Sequence, residues 1–363
     1  MKKNVIYLLI LLLIIACSAS NNDNDTNSAS NNNSNGASNN NSNGDEWLIP
    51  KSEVIDGGPG KDGIPSLDFP AFVSLNQASY INPNDLVIGI VNGSEAKAYP
   101  HKILDWHEIT NDEIEGEFIT INYCPLTGTA FGWESKSNGV KTTFGVSGLL
   151  YNTNLILYDR NTDSNWAQLR LEAVNGKLIG NKPTLTQVIE TNWTTWQSLY
   201  PNSKVLSLNT GFSRNYDLYP YGDYKTNHSR FLFSVSPSNS ALPNKQRIFA
   251  IIDSNKSKVY QFSNFENGNV FKDTFNGNEY LIVGDENLIT AFKLNSTYLN
   301  LDFEYAFNNS EVFFKDNEGN AWSVFGKALS GPRTGETLTT TKSVISYWFA
   351  IAAFYPNPII YSE

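Results

Sequence analysis

Cysteine, histidine and methionine are scarce in this chain of 363 residues, which holds 2 Cys, 3 His and 1 Met. It has no Cys-x-x-Cys pair, no His-Glu-x-x-His motif, no phosphate-binding glycine loop and no EF-hand loop. These absences exclude the enzyme and binding classes that depend on those motifs. Because Cys17 lies in the N-terminal leader, Cys124 is the one thiol of the remainder and has no partner for an intramolecular disulfide.

Positive charge is also sparse. The chain has 26 Lys and Arg against 36 Asp and Glu, a net charge of −10, and no basic block. Binding to nucleic acid or to anionic lipid depends on concentrated positive charge. We therefore expect no nucleic acid partner, and no direct contact of the folded part with anionic lipid.

Long apolar runs are absent except at the N-terminus. Lys2-Lys3 precedes an apolar run at residues 5–15, which Ala16-Cys17 follows. The run is too short for an ordinary transmembrane helix, and a small residue before cysteine is the lipoprotein signal-peptidase pattern. We predict a lipoprotein signal peptide at residues 1–17. An acylated Cys17 would anchor the protein in a bacterial cell envelope, facing the periplasm or the cell surface. The alternatives are cleavage near Ser18-Ala19 and an uncleaved anchor.

The segment that follows is nearly all Asn, Ser, Asp and Gly. Such a composition has too few apolar residues to bury a core, so residues 18–46 are predicted to be a disordered tether. The rest of the chain is long enough for one or two cores. We divide it into a first repeat with the candidate site at residues 47–236, and a second, diverged repeat at residues 237–363.

This division follows from an internal repeat. A constant offset of 161 positions pairs residues 87–92 with residues 248–253. The same offset pairs Lys97, Tyr99, Asp112, Gly116, Thr129 and Phe131 with identical residue types. Residues kept in both copies are interpreted as scaffold. Residues present only in the first copy, such as Cys124 and His107, are better candidates for function.

Each copy has the pattern of short strands separated by turn residues. Asn92-Gly93 predicts a hairpin between strands at residues 87–91 and 96–99. Further strands are expected at residues 118–123, 130–133, 142–146 and 155–158, and helices at residues 191–199 and 343–354. The fold class is therefore mainly β with a few helices (α+β), in two related β-rich subdomains of sandwich or barrel type.

The most informative local feature is the corner that follows the strand at residues 118–123. Cys124 ends this strand, and Pro125 and Gly128 then turn the chain. A thiol there is either a redox, nucleophilic or soft-metal group, or a small buried hydrophobe. His107 could deprotonate it, orient it or share a metal with it. The alternative for His107 is a hydrogen-bonded side chain beside Trp106.

Other candidate binding residues lie near this corner or in the later strands. They are Trp106, Glu108, Tyr123, Ser147, Asp159, Arg160, Trp166 and Gln168. Glu108 and Asp112 are the acids that could orient His107. Ser147 lacks the Gly-x-Ser-x-Gly context of a nucleophile elbow. We expect Asp159 and Arg160 to form an ion pair that closes a turn, and Trp166 and Gln168 to line a cleft.

Several motifs occur together in a family-like order. They are Asp62-Gly63-Ile64-Pro65, Ala98-Tyr99-Pro100, the Trp-His-Glu-Ile-Thr-Asn-Asp run at residues 106–112, Tyr123-Cys124-Pro125-Leu126, Phe144-Gly145-Val146-Ser147-Gly148 and Asp159-Arg160. From about Trp47 to its end, the chain resembles the bacterial family called domain of unknown function 3179. Members typically carry Cys-Pro-Leu-Cys-Gly, which implies thiol redox or metal chemistry. Thr127 replaces the second cysteine here, which leaves one thiol and a neighbouring hydroxyl.

These observations lead to two functional hypotheses. In the first, an envelope lipoprotein performs thiol redox work or binds copper or zinc, through Cys124 and His107 with Thr127 beside them. In the second, the chain is a non-catalytic binding module for a glycan or another envelope protein. A redox or envelope partner is expected, but the sequence does not identify it. Whether the protein is an enzyme stays open.

Overall fold

The computed structural model describes residues 46–362. The predicted signal peptide, Cys17 and all of the predicted tether except Glu46 lie outside these residues. No helix within residues 46–362 is long and apolar enough to cross a membrane.

The first part of the chain forms short strands, two α-helices and two 3-10 helices. The strands are β1 (Val54–Asp56), β2 (Leu67–Asp68), β3 (Phe72–Ser74), β4 (Leu86–Asn92), β5 (Glu95–Pro100), β6 (Ile109–Ile114), β7 (Glu117–Cys124), β8 (Thr129–Glu134), β9 (Lys136–Ser137), β10 (Val140–Lys141), β11 (Phe144–Tyr151), β12 (Asn154–Asp159), β13 (Asn165–Ala167), β14 (Glu172–Asn175), β15 (Leu185–Thr186), β16 (Ile189–Asn192) and β17 (Lys204–Leu206). The α-helices are α1 (His101–His107) and α2 (Trp193–Leu199), and the 3-10 helices are Lys51–Glu53 and Leu75–Gln77.

The second part repeats this pattern with fewer strands. Its strands are β18 (Arg247–Asp253), β19 (Lys256–Gln261), β20 (Asn269–Phe275), β21 (Asn278–Gly284), β22 (Ile289–Leu294), β23 (Phe303–Tyr305), β24 (Val312–Asp316), β25 (Ala321–Ser323), β26 (Ala328–Ser330), β27 (Thr339–Thr340), β28 (Ser343–Tyr347) and β29 (Ile359–Ile360). A 3-10 helix at Phe262–Phe265 takes the place of α1, and α3 (Trp348–Phe354) takes the place of α2.

Strand pairing is the same in the two halves. The sheet order β16-β4-β5-β17 matches β28-β18-β19-β29, β15-β8-β7-β6 matches β27-β22-β21-β20, and β11-β12-β13-β14 matches β23-β24-β25-β26. The last strand of each half, β17 or β29, runs parallel to the second strand of its hairpin. A common origin by duplication remains our interpretation of this correspondence.

Identical polar contacts support the scaffold interpretation of the shared residues. Nζ of Lys97 lies 2.9 Å from Oδ2 of Asp112, which also accepts a hydrogen bond from the Tyr99 hydroxyl at 2.7 Å. Lys258, Tyr260 and Asp273 repeat this arrangement at 2.6 and 2.9 Å. These side chains tie each hairpin to the strand that follows it.

The first half carries two additions. Residues 54–74 add one strand to each of its three sheets, since β1 pairs with β11, β2 with β6 and β3 with β17. A segment at residues 207–246, which contains no strand or helix, then connects the two halves. Both additions pack around the Cys124 corner, as described below.

Buried side chains from both halves form the main core. One cluster contains Cys124, Trp133 and Trp166 of the first half together with Ile248 and Trp348 of the second. The predicted class, mainly β with a few helices, is confirmed. The helix expected at residues 343–354 is correct only from Trp348, because residues 343–347 form β28 beside β18. The sequence analysis missed α1, which has only seven residues and so offers little helical periodicity.

Candidate functional site

The Cys124 corner joins β7 to β8 as a tight turn. The backbone N–H groups of Thr127 and Gly128 donate to the carbonyl of Cys124 at 3.2 and 2.8 Å. Gly128 has a φ of +61°, a left-handed conformation that favours glycine. On its outer side, the carbonyl of Thr127 accepts from the N–H of Tyr347 at 2.8 Å. The predicted strand-end turn is therefore present, and the second half is bonded to it.

The thiol of Cys124 is buried, with 1% of its surface exposed. Its Sγ lies 3.8 Å from the carbonyl oxygen of Thr153, at the distance of a weak hydrogen bond. Burial, and next the nearby carboxyl of Glu108, raise the pKa of Cys124 to about 11. The group is therefore a protonated thiol at neutral pH.

Thr127 belongs to a buried polar network beside the thiol. Its hydroxyl lies 2.8 Å from that of Thr129 and accepts from the side-chain amide of Asn154 at 2.9 Å. Gln168 accepts from Thr129 and Asn154 at 2.6 and 2.7 Å, and donates to Asn122. Gln168 is fully buried, so it does not line an open cleft as we had expected.

His107 is held by groups other than the thiol. Its Nδ1 lies 2.8 Å from the carbonyl oxygen of Pro65, and its Nε2 lies 2.7 Å from the hydroxyl of Tyr216. Burial lowers the pKa of His107, so the ring is neutral at pH 7. With both ring nitrogens in hydrogen bonds, the imidazole has no nitrogen left over for Cys124 in this arrangement. This matches the hydrogen-bonded alternative of the sequence analysis.

Glu108 follows His107 in an unusual backbone conformation, with φ of 57° and ψ of −35°. Non-glycine residues in such conformations are rare and concentrate at functional sites. The carbonyl of Glu108 accepts from the N–H of Tyr123 at 2.7 Å, which fixes α1 against β7. Burial raises the pKa of Glu108 to about 8, while a hydrogen bond from Tyr221 opposes the shift. The side chain is therefore a carboxylic acid at neutral pH.

An apolar cavity of about 430 Å³ opens beside Glu108. Leu126 of the corner, strands β11 and β12, and both additions to the first half supply its walls. The lining residues are Gly57, Pro59, Ile64, Glu108, Leu126, Val146, Gly148, Leu149, Leu150, Leu155, Tyr221, Leu232 and Phe233. We call this space the Glu108 cavity. Apart from Glu108 and the Tyr221 hydroxyl, its side chains are hydrocarbon.

A glycine shapes the wall of this cavity. The register of β11 against β12 shifts between Val146 and Leu150. Gly148, at φ of +81°, lies in this bulge, and a Cβ there would come within 2.6 Å of the backbone of Gly60. Ser147 is buried and donates to the carbonyl of Ile156, so it stabilises the bulge. This contact gives Ser147 a structural role.

The remaining predicted residues fall into separate groups. Trp106 is half-buried and its Nε1 donates to the carbonyl of Leu218 at 3.0 Å. Tyr123 is buried, with its ring centroid 4.4 Å from that of His101. Trp166 is 2% exposed and donates to the carboxylate of Asp159 at 3.1 Å. These contacts place Trp166 in the core instead of a cleft.

The expected ion pair between Asp159 and Arg160 does not form. Asp159 is buried and accepts from Thr162 as well as from Trp166. Arg160 instead points away and pairs with Asp68 at 3.2 Å and Asp62 at 3.5 Å. Successive residues of a strand point to opposite faces, which explains why these two side chains separate at the end of β12.

Sequence reasoning overlooked a second group of titratable residues. His101 and Asp105 lie four positions apart on α1, the spacing that places side chains on one helix face. They border a cavity of about 360 Å³ together with Arg247 of the second half. The i, i+4 spacing was the available signal, but it depends on recognising α1. No local sequence pattern indicates that Arg247 lies beside these two residues.

Metal ligands do not converge within residues 46–362, where no group of three or more His, Cys, Asp or Glu side chains is placed to hold an ion. A family model described as "Protein of unknown function (DUF3179)" matches residues 61–358. The chain belongs to the DUF3179 family. Neither the curated proteins nor the solved structures contain a match to it.

Thr127 stands where the resemblance to DUF3179 implies a second cysteine. Thr127 and Cys124 are neighbours in the same turn, and a hydrogen bond from Thr127 lowers the pKa of the thiol against the larger effect of burial. The hydroxyl also fits the polar network with Asn154. This DUF3179 chain thus keeps a hydrogen-bonding group where a second thiol is expected.

Proposed function

We propose that this protein is a lipid-anchored envelope protein that binds a small, mainly apolar molecule carrying a carbonyl-type acceptor. The observation that carries the proposal is the Glu108 cavity, an apolar space of about 430 Å³ with one buried carboxylic acid in its wall. Small-molecule sites typically have this size, with apolar walls and a few placed polar groups. A protonated Glu108 donates one hydrogen bond, which suits a carbonyl oxygen.

Photolabelling with benzophenone, an apolar ketone, tests this proposal. We expect crosslinks in peptides that contain residues 146–150 and 232–233. Labelling should fall as the pH rises through about 8, because ionised Glu108 can no longer donate to the ketone. Glu108→Gln keeps a donor and should make labelling independent of pH.

The matched control is Glu117→Gln, which changes an exposed carboxylate on β7 whose side chain is 63% accessible. This variant should retain the wild-type pH profile. Labelling scattered over the surface, or the same pH profile in wild type and Glu108→Gln, would remove the basis for a ligand at this cavity.

Thiol chemistry at Cys124 is the second candidate, because the thiol lies two residues from Leu126 in the wall of the Glu108 cavity. Redox work or binding of copper or zinc would need the thiolate, which the pKa of about 11 disfavours at neutral pH. Titration with copper(I) and with zinc tests it. Stoichiometric binding that disappears in Cys124→Ser would support a metal role. Absence of binding in wild type, with alkylation only after unfolding, would leave the ligand-binding proposal alone.

The anchor rests on the sequence of residues 1–17. Cys17→Ser should release the protein from membranes and abolish labelling with radioactive palmitate. Retention of the variant on membranes, with no acyl label in wild type, would contradict the lipoprotein proposal while leaving the Glu108 cavity unaffected.

A further inference from the structure

A second cavity, of about 360 Å³, borders the Cys124 corner at Tyr123 and Gly128. Its other walls come from residues 84–86, α1, the connecting segment, and Arg247 and Tyr347 of the second half. We call it the His101 cleft. It differs in character from the Glu108 cavity, because its walls carry four cations, Lys102, Lys225, Lys245 and Arg247, and the carboxylates Asp85 and Asp105.

Only some of the cations of this cleft form ion pairs with carboxylates. Lys102 pairs with Asp217 at 3.0 Å and Asp85 at 3.4 Å, and Arg247 pairs with Glu190. Lys225 and Lys245 have no carboxylate within ion-pair distance among residues 46–362. Lys245 donates instead to the backbone carbonyls of residues 224, 227 and 230. The four cations are matched in number by Asp85, Asp105, Asp217 and Glu190, so what the cleft offers is two lysines without a carboxylate of their own.

Asp105 is a buried hydrogen-bond acceptor in the wall of the cleft. Its side chain is 7% exposed, lines the cleft, and its Oδ1 has no hydrogen-bond partner among the described residues. Nε2 of the neighbouring His101 lies 3.3 Å from Oε2 of Glu190. A buried acceptor without a partner costs free energy unless something donates to it. The cleft therefore offers one unfilled acceptor together with Lys225, which has no carboxylate at ion-pair distance among residues 46–362.

We propose that the His101 cleft binds a small carboxylate that carries a hydroxyl or ammonium group. The carboxylate would contact Lys225 and the exposed edge of Arg247, whose side chain is 31% accessible. The hydroxyl or ammonium would donate to Oδ1 of Asp105. Lys102, Lys245 and Arg247 are already held by protein partners, so the positive wall is formed before the ligand arrives. The carboxylate would give Lys225 the ion-pair partner that residues 46–362 do not supply.

Calorimetric titration of the full chain in detergent tests this site with glycolate and acetate, which differ by one hydroxyl. We expect glycolate to bind about tenfold more tightly than acetate, since a hydrogen bond to a charged acceptor contributes that much. Lys225→Gln should weaken both ligands about tenfold. Lys225 is exposed, so this variant should fold as the wild type does. The matched control, Lys177→Gln, removes an exposed lysine outside the cleft and should leave both affinities unchanged.

Asp105→Ala provides the second test, since it should bring the two affinities together while acetate still binds. Absence of binding of either anion up to about 0.1 M would overturn the proposal. So would equal affinities for glycolate and acetate in wild type, or equal binding by wild type and Lys225→Gln. Benzophenone labelling of the Glu108 cavity is expected to be unaffected by glycolate, so the outcomes at the two cavities are distinguishable.

Discussion

The two halves share three sheets of matching strand order, but only the first surrounds its β-meander with extra chain. Residues 54–74 contribute Pro65 to His107 and the pair Asp62 and Asp68 to Arg160. The connecting segment contributes Tyr221 to Glu108. In the second half, Gly268 and Asn269 stand at the positions of His107 and Glu108. His107 and Glu108 therefore occur in the half that has the added segments. The second half has the shared strands but lacks these two side chains and the added segments.

The corner residue itself shows the same contrast. Asp285, at the position of Cys124, accepts from the backbone of Asn287 and Leu288 at 2.7 and 2.9 Å and from the hydroxyl of Tyr305 at 2.7 Å. This carboxylate closes its own turn. The Cys124 thiol has hydrogen bonds from Thr127 and Leu155 but carries no negative charge at neutral pH, and its turn is closed by the backbone and by Tyr347. A fold that can close this corner locally with Asp has, in its first half, a buried thiol two residues from Leu126 in the wall of the Glu108 cavity.

The largest effect is expected from breaking the scaffold contact that both halves contain. Asp112→Ala should cost about 3–5 kcal/mol of unfolding free energy, because Lys97, 7% accessible, becomes a buried charge without its carboxylate. Asp273→Ala should cost less, roughly 1–3 kcal/mol, because Lys258 is 13% accessible. Chemical denaturation of both variants measures the difference. Equal costs would show that burial does not distinguish the two halves here.

An intermediate effect is expected at the corners. Asp285→Ala should cost about 2–3 kcal/mol, because two backbone N–H groups and the Tyr305 hydroxyl lose their acceptor. Cys124→Ala should cost about 1 kcal/mol, since only the contacts of one sulfur are lost. Denaturation at pH 7 compares them. A larger loss for Cys124→Ala would contradict the view that this thiol contributes little to the closure of its turn.

The smallest expected effect, counted per pH unit, is on the pH dependence of the unfolding free energy. Folding holds the pKa of Glu108 at about 8, above its ordinary value of 4.5. The folded state therefore binds this proton more tightly, and its contribution to stability is complete below pH 4.5 and lost as the pH rises towards 8. Glu108→Gln should remove a decline of at most about 1.4 kcal/mol per pH unit. Denaturation from pH 5 to 8 measures this, with Asn269→Ala as the control that should retain the decline.

The sequence predicted the scaffold better than the site. Alternation and Asn92-Gly93 located the first hairpin within a residue at each end, because turn chemistry and strand period are local properties. The motif at residues 106–112 also made Glu108 a candidate. Its role changed from orienting His107 to lining a cavity, since the cavity depends on residues 57–64 and 221–233. No local pattern reports that such distant segments meet.

The same reasoning explains the individual errors. The expected pairing of Cys124 with His107 assumed that two uncommon reactive residues serve each other. Tyr216 and Pro65, far apart in the chain, hold the imidazole instead. The sequence also suggests that Trp166 and Gln168 could line a cleft. Their burial follows from contacts with Asp159 and Asn154 that the sequence does not specify.

The position of the last strands has a consequence for how the protein is made. The hairpin β18–β19 has both neighbours, β28 and β29, within the final residues 343–360. During synthesis, one edge of β18 therefore stays unpaired until almost the whole chain has been translated. Unpaired strand edges promote aggregation. Because Tyr347 also donates to the carbonyl of Thr127, the Cys124 corner is completed last. A premature stop before Ser343 would thus leave the first half translated in full and its corner unfinished.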